Sequence, residues 1–265
     1  MPLSPDLLAA VEAFAARPTL LVASDFDGAL APLVPDPRDS RPVEGGMETL
    51  AELAALPGVE VALVSGRSLR DLAELSGAPA DFVLIGSHGT EDSRHPEGLA
   101  LTEDQQGMLA VLDEELADLV EEHPGVWVEE KPAGRVVHTR RMDPVAGPAA
   151  LDAAAALGAR HTSLVSTPGK EVVELAVAHV GKGAALVDLA DELAVDAVFY
   201  AGDDVTDEHA FAALAANDDE ARSARRLTVR VGEGETAAQF RVEDEPHLVE
   251  LFRTLTAARR AATQG

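Results

Sequence analysis

The chain has 265 residues, 46% of them hydrophobic, and carries 47 acidic against 21 basic side chains, for a formal net charge of -26. That is enough apolar material for one large or two modest domains, while so acidic a surface repels nucleic acid and anionic membranes. Cysteine is absent, which excludes disulfides and thiol chemistry, and every apolar run is too short and too broken by charge to span a bilayer.

The N-terminal residues show no basic stretch leading into an apolar one, so no secretory signal is expected and a cytoplasmic location is. Residues 7–17 predict a helix, with apolar positions at Leu7, Leu8, Val11 and Phe14 and Pro18 ending it. The run LLVAS from Leu20 reads as a buried parallel strand and leads into Asp25, Phe26, Asp27 and Gly28. In an extended chain this spacing puts both carboxylates on one face, at the strand end where open α/β sheets bind ligands. Two close carboxylates repel unless a proton or a cation lies between them, and a hard cation such as Mg²⁺ meets that need. A solvated Asp-Gly turn is the plain alternative.

Pro32, Pro35, Pro37 and Pro42 predict an irregular loop, followed by a helix over 46–56. A second apolar strand, 59–64, ends in Ser65-Gly66-Arg67, and a helix over 68–75 follows with Ser65 or Ser68 near its cap. A hydroxyl, a glycine amide and a helix N-terminus together suit an anion, although many strand-to-helix turns share them. A third strand, 82–85, runs into Gly86-Ser87-His88-Gly89, where His88 either touches a ligand or simply occupies the turn. Three such units predict a Rossmann-like parallel sheet, yet neither a GxGxxG fingerprint nor a Walker lysine is present.

A long helical pattern covers 101–122, and the rhythm then changes. Residues 126–130 and 135–140 alternate like antiparallel strands about a turn at 132–134. A helix over 144–157 and strands over 162–166 and 171–175, joined at Pro168-Gly169, complete an α+β block over 106–180. His138 lies in one of the alternating strands and reads equally as an ordinary half-buried residue. The βα rhythm returns at Gly181-Lys182-Gly183, with a helix over 184–193 and a strand over 197–200. That strand runs into Gly202-Asp203-Asp204-Val205-Thr206-Asp207-Glu208, which is either a solvated loop or the second half of a cation site begun at Asp25 and Asp27. A helix over 209–216, a strand over 227–231, a helix over 247–260 and a frayed tail over 261–265 are expected to close the chain. The histidines form no metal-ligand spacing, so zinc has no support. The chain has only three lysines, Lys131, Lys170 and Lys182, which is either chance in an arginine-rich composition or retention of a compact point charge where one is needed.

Taken together, Asp25-Phe26-Asp27-Gly28-Ala29-Leu30, Ser65-Gly66-Arg67, Lys182-Gly183 and the acidic run from Gly202 to Glu208 resemble motifs I to IV of the haloacid dehalogenase (HAD) superfamily. Within it the chain is most similar to the trehalose-6-phosphate phosphatase family. That family's Ser/Asn-His-Gly turn is matched by Ser87-His88-Gly89. Its Glu-x-Lys-Pro segment is matched by Glu129, Lys131 and Pro132, its His-x-Arg by His138 and Arg140, and its Lys-x-x-x-Glu strand by Lys170 to Glu174. Three departures stand out: Ala29 for the usual Thr, Thr139 for an aromatic, and Ala176-Val177 for Arg-Pro. The resemblance implies an α/β HAD core, residues 1–105 and 181–265, with an α+β cap domain over 106–180. It further implies Asp25 as nucleophile, Asp27 as acid and base, and Ser65 and Lys182 on the phosphoryl group. Mg²⁺ would be held through Asp25, Asp27 and Asp203, with Asp204 or Asp207 supporting. The substrate would be a small sugar phosphate, held by Arg67, His88, Glu129, Lys131, Arg140, Lys170 and Glu174. The expected activity is hydrolysis of trehalose 6-phosphate by a monomer without nucleic-acid or membrane partners. The alternatives are a phosphatase for sucrose 6-phosphate or a glycosyl phosphoglycerate, and a non-catalytic sugar-phosphate-binding protein.

Overall fold

A computed structural model describes residues 3–95, 101–177, 181–216 and 225–264. The chain divides into two compact units, Met1–Arg94 with Val180–Gly265, and His95–His179.

The first unit begins with α1 (Pro5–Ala15), whose cap Ser4 accepts the Leu7 N–H at 3.3 Å. There follow β1 (Leu20–Ser24), α2 (Gly46–Ala54), β2 (Val59–Val64), α3 (Leu69–Ser76), β3 (Val83–Gly86) and the short β4 (Glu91–Asp92). Ser68 caps α3, accepting the Asp71 N–H at 3.2 Å. The second unit holds α4 (Glu103–Glu122), β5 (Trp127–Lys131), β6 (Gly134–His138), α5 (Gly147–Arg160), β7 (Val165–Gly169) and β8 (Val172–Ala176). The chain returns to the first unit with α6 (Lys182–Glu192), β9 (Ala197–Gly202), α7 (Val205–Ala216), β10 (Arg226–Val231), β11 (Phe240–Val242) and α8 (Glu245–Gln264).

The first unit's sheet has seven strands in the order β11-β10-β9-β1-β2-β3-β4, parallel except for β4. β1 is central and buried throughout, as its unbroken apolar run requires. Alternation along β9 sends Phe199 to one face, edge-on to Phe14 and Phe252, among residues of α1, α2, α3 and α8. Tyr200 goes to the other face, against Phe211 and the leucines of α6. Burying each such side chain contributes about 1.5–3 kcal/mol. Register then sets the site: Ser24 lies beside Leu63 of β2 and Ala201 of β9, so Asp25, Ser65 and Asp203 emerge together at one edge.

The second unit's sheet is separate and antiparallel, in the order β5-β6-β8-β7. Val137, Val173 and Leu175 pack one face of it against Leu112, Leu116 and Leu157 of α4 and α5. Among the described residues no helix is long and apolar enough to cross a membrane.

Several element boundaries differ from those the sequence predicts. The first division between units falls after Arg94 rather than after residue 105, because α4, beginning at Glu103, belongs to the second unit's core. α5 starts at Gly147, not at residue 144. β7 runs to Gly169, so Pro168 and Gly169 lie in the strand rather than in the turn. Proline is tolerated there because β7 is an edge strand, and the turn moves to Lys170 and Glu171, whose φ is 61°. α7 opens at Val205 instead of residue 209, which brings Asp207 and Glu208 into its first turn, where acidic groups favour the helix dipole. α8 continues through Gln264, so residues 261–264 are helical rather than frayed. Their Ala-rich composition sustains the helix, and Gly265 lies outside the described residues.

Candidate active site

At the carboxyl edge of the parallel sheet lies a cavity of about 460 Å³, lined by Asp25, Asp27, Ser65, Arg67, His88, Lys182, Asp203 and Asp204 on its polar side and by Leu33, Val34 and Pro37 on its apolar side. Asp25 directly follows β1 and is buried; its Oδ1 accepts the Phe26 N–H at 2.7 Å and its Oδ2 accepts Lys182 Nζ at 2.7 Å. Lys182, the first residue of α6, also donates to Asp207 Oδ1 at 2.9 Å. Asp207 is fully buried beneath the cavity and acts as a hub. Its Oδ1 also accepts the Tyr200 hydroxyl at 2.5 Å, and its Oδ2 accepts the Asp203 and Asp204 N–H groups at 2.8 and 3.0 Å. Two glycines make this closeness possible. A Cβ on Gly202 would overlap the Asp207 carboxyl, and one on Gly28, whose φ is +78°, would overlap the Asp203 carboxylate.

The electrostatics of this cluster are one-sided. Asp25, Asp203, Asp204 and Asp207 surround the single ammonium of Lys182. Burial pushes Asp25 well above the ordinary carboxylate range against the opposing pull of Lys182, and Asp207 and Asp204 push the same way. Burial, then the Asp207 and Asp204 charges, push Asp203 up to about 7. Burial alone would lower the Lys182 ammonium, but the Asp25, Asp207 and Asp204 carboxylates outweigh it and hold the group firmly charged. Burial likewise works against Asp204, yet Lys182 and hydrogen bonds from Thr206 and the Asp207 N–H keep it below its ordinary value. The site thus carries more negative charge than its own groups balance. One carboxylate oxygen each of Asp25, Asp203 and Asp207 lies within 4.8 Å of the others, an all-oxygen donor set that fits a hard divalent cation. The carboxylates of Asp27 and Asp204 stand outside that group: Asp204 caps α7, and Asp27 is held elsewhere.

Asp27 accepts Arg67 Nε and Nη2 at 2.6 and 2.7 Å, and the Ser40 hydroxyl at 2.8 Å. Ser40 comes from the proline-rich loop, and no sequence pattern marks it, since serine in a polar loop is ordinary. Ser65, buried at the end of β2, accepts the Arg67 N–H at 3.2 Å, and its carbonyl accepts the His88 N–H at 3.0 Å. His88 itself sits at φ 55°, in a turn that brings its ring to the cavity wall.

The remaining sequence-predicted residues lie in the second unit. Glu129 and Glu174 flank Val136 across β5, β6 and β8, on the face opposite the one packed on α4 and α5. Lys131 Nζ lies 3.6 Å from Glu174 Oε1. Glu129 meets His138 Nε2 at 3.0 Å; that hydrogen bond, with Lys131 assisting against burial, holds the carboxyl below its ordinary value. His138 stacks on Trp127, ring centroids 4.3 Å apart. Arg140 and Lys170 lie at the far end of the sheet from Lys131. Arg140 pairs with Glu171 at 3.5 Å, and Lys170 is exposed in the β7–β8 turn. The structure therefore groups Glu129, Lys131 and Glu174 and sets Arg140 and Lys170 apart from them.

Comparison with known proteins gives a consistent result. The family model for trehalose-phosphatase matches residues 23–246. A bifunctional trehalose-6-phosphate synthase/phosphatase of Thermoproteus tenax is 36% identical over 258 residues, which cover 96% of this chain and 34% of that protein. A trehalose-phosphate phosphatase of Mycobacterium avium is 38% identical over 202 residues, 72% of this chain and 50% of its own length. Matched regions of this kind span between 34% and 60% of the curated relatives. Among solved structures, trehalose-6-phosphate phosphatase of Aspergillus fumigatus superposes with a TM-score of 0.70 at 26% identity, covering 97% of this chain and 98% of that one. The C-terminal domain of the C. albicans enzyme superposes at 0.73 with 23% identity over 96% of this chain and 97% of its own, which bears on the fold alone.

Proposed function

The chain belongs to the trehalose-phosphatase family, and from that premise we propose that it is a Mg²⁺-dependent phosphatase that hydrolyses trehalose 6-phosphate to trehalose and phosphate. The observation that carries the proposal is the meeting of Asp25, Asp27, Ser65, Lys182 and Asp203, from four separate stretches of chain, around one cavity. Phosphate monoesters resist hydrolysis, and dividing the reaction into two displacements lowers each barrier. Asp25 is the nucleophile: its carboxylate forms a bond to phosphorus as the bond to the sugar oxygen breaks. Asp27 gives its proton to that departing oxygen, then takes one from the water that attacks the aspartyl-phosphate. Ser65 and Lys182 bind the non-bridging phosphoryl oxygens as charge shifts among them. Asp25, Asp203 and the Asp27 carbonyl, with Asp207 and Asp204 behind them, would hold Mg²⁺, which when bound supplies hard positive charge against the phosphoryl oxygens. Arg67 and His88 complete the wall around the phosphate.

Sugar selection is assigned to Glu129, Lys131 and Glu174, which share one sheet face, and not to Arg140 and Lys170, which lie at the far end of that sheet. Two carboxylates and an ammonium group on one sheet face suit a ligand rich in hydroxyls. The test is a panel of trehalose 6-phosphate, sucrose 6-phosphate, glucose 6-phosphate and glycosyl phosphoglycerates, compared by kcat/KM with Mg²⁺ present. Trehalose 6-phosphate is expected to lead. Another compound leading by about tenfold or more would keep the phosphatase and overturn the sugar.

A further inference from the structure

Asp27 faces the same cavity as Asp25 but is held by different partners. Arg67 grips it as a fork, Nε to Oδ2 at 2.6 Å and Nη2 to Oδ1 at 2.7 Å, and the guanidinium lies over the Phe26 ring at 5.7 Å. Oδ1 receives one more hydrogen bond, from the Ser40 hydroxyl at 2.8 Å. Ser40 is fully buried. Its loop is fastened without that hydroxyl. Asp36 caps a short 3-10 turn over Pro37–Asp39, Arg41 donates to the carbonyls of Arg38 and Ser40, and the Val43 N–H donates to the Leu30 carbonyl at 2.9 Å. The hydroxyl is thus spent on Asp27 alone. A fork from one long side chain lets the carboxylate pivot as that side chain moves. A second donor from an independent, proline-braced segment removes the pivot. Oδ1 then has both lone pairs committed, and Oδ2 keeps one open.

We propose that Ser40 is a positioning residue for proton transfer by Asp27: with Arg67 it fixes the carboxylate plane so that Oδ2 is the atom that exchanges the proton. This rests on the acid–base role given to Asp27 above. In the first displacement the bond from Asp25 to phosphorus forms and the phosphorus–sugar oxygen bond breaks. The released electron pair takes the proton from Oδ2, and the donors on Oδ1 stabilise the carboxylate left behind. In the second, the water oxygen bonds to phosphorus, the bond to Asp25 breaks, and the water proton returns to Oδ2.

The test uses leaving groups of different need. A sugar alkoxide requires a proton to depart, whereas nitrophenolate does not. kcat/KM covers the steps through ester cleavage, so it is measured for p-nitrophenyl phosphate and for the sugar phosphate turned over fastest, whatever sugar that is. In Ser40→Ala the sugar-to-aryl ratio of kcat/KM is expected to fall about tenfold, the order set by misplacing a general acid. An equal loss on both esters, the signature of a structural role, overturns the proposal, and so does an unchanged ratio. Asp27→Asn is measured alongside and is expected to lower the ratio further. If it lowers both esters alike, the acid assignment to Asp27 fails and takes this proposal with it. If the ratio falls for Asp27→Asn but holds for Ser40→Ala, the role of Ser40 alone is overturned.

Discussion

Asp25 and Asp27 carry the same functional group two residues apart, and their surroundings give them different work. Asp25 is buried against Lys182, while Asp27 is clamped by Arg67 and Ser40. Asp25→Asn keeps the shape and one acceptor oxygen, enough for Lys182 or the Phe26 N–H but not both, and removes the proposed nucleophile. Turnover is expected to fall by at least about 10³-fold, with a melting temperature close to that of the parent, because neutralising a buried carboxylate pushed up by its surroundings offsets the one acceptor lost. Activity near the parent's would require another nucleophile. Asp203 carries a pH prediction. Its carboxyl is raised in the folded protein to about 7 from an ordinary 3.8, so the metal-free fold holds that proton more tightly than the unfolded chain does. The stability this contributes is complete below the ordinary value and is lost as pH rises through about 7. A cation must displace the same proton. Mg²⁺ affinity, measured by calorimetry, should therefore rise with pH by up to about tenfold per unit as pH approaches about 7. Flat affinity across that range would count against Asp203 as a ligand.

At the scale of elements, the strand ends are the legible part of the sequence. A buried parallel strand needs a continuous apolar run, so the change from LLVAS to Asp25, or from VFYAG to Asp203, marks the sheet edge without any structure. The Ser40 contact was not legible, because it depends on how a proline-rich loop folds back thirteen residues later. The β7 boundary is not legible either, because Pro-Gly commonly signals a turn, and the strand's edge position lets it extend through both residues. Arg259 is another long-range device that periodicity hides. Although buried on α8, it donates to the carbonyls of Ala15, Arg17, Pro18 and Pro57, and so ties α8 to the chain leaving α1 and α2. Arg259→Leu leaves those carbonyls without their donor and is expected to cost about 2–4 kcal/mol in denaturant unfolding, with kcat of the folded fraction unchanged. On the second sheet, Glu174→Ala removes a carboxylate paired with Lys131. It should lower kcat/KM for trehalose 6-phosphate about 10- to 100-fold while leaving a small aryl phosphate nearly untouched. An equal loss on both would place Glu174 outside sugar selection.

At the scale of the whole molecule, each unit has a core of its own. The clusters around Phe199 and Tyr200 draw only on residues before Arg94 and after Val180, and the cluster around Val137 and Leu175 draws only on residues between them. Among the described residues each strand pairs within its own unit's sheet. The cavity proposed for the phosphate, with Asp25, Asp27, Ser65, Lys182 and Asp203, is built entirely from the first unit. The proposed division of labour gives chemistry to this unit and sugar selection to the other. Replacing residues 95–179 by a flexible Gly/Ser linker should therefore leave a protein that unfolds cooperatively and binds Mg²⁺. It should cleave p-nitrophenyl phosphate with kcat/KM within about tenfold of the parent's, because the groups proposed to act on phosphorus stay where β1, β2, β9 and α6 put them. Preference for trehalose 6-phosphate over glucose 6-phosphate should disappear, since discrimination requires contacts made to the second sugar in the transition state. A cooperative, Mg²⁺-binding protein that still preferred the disaccharide would move sugar selection into the first unit. Loss of cooperative unfolding would mean that the parallel-sheet core depends on the inserted unit despite its separate packing.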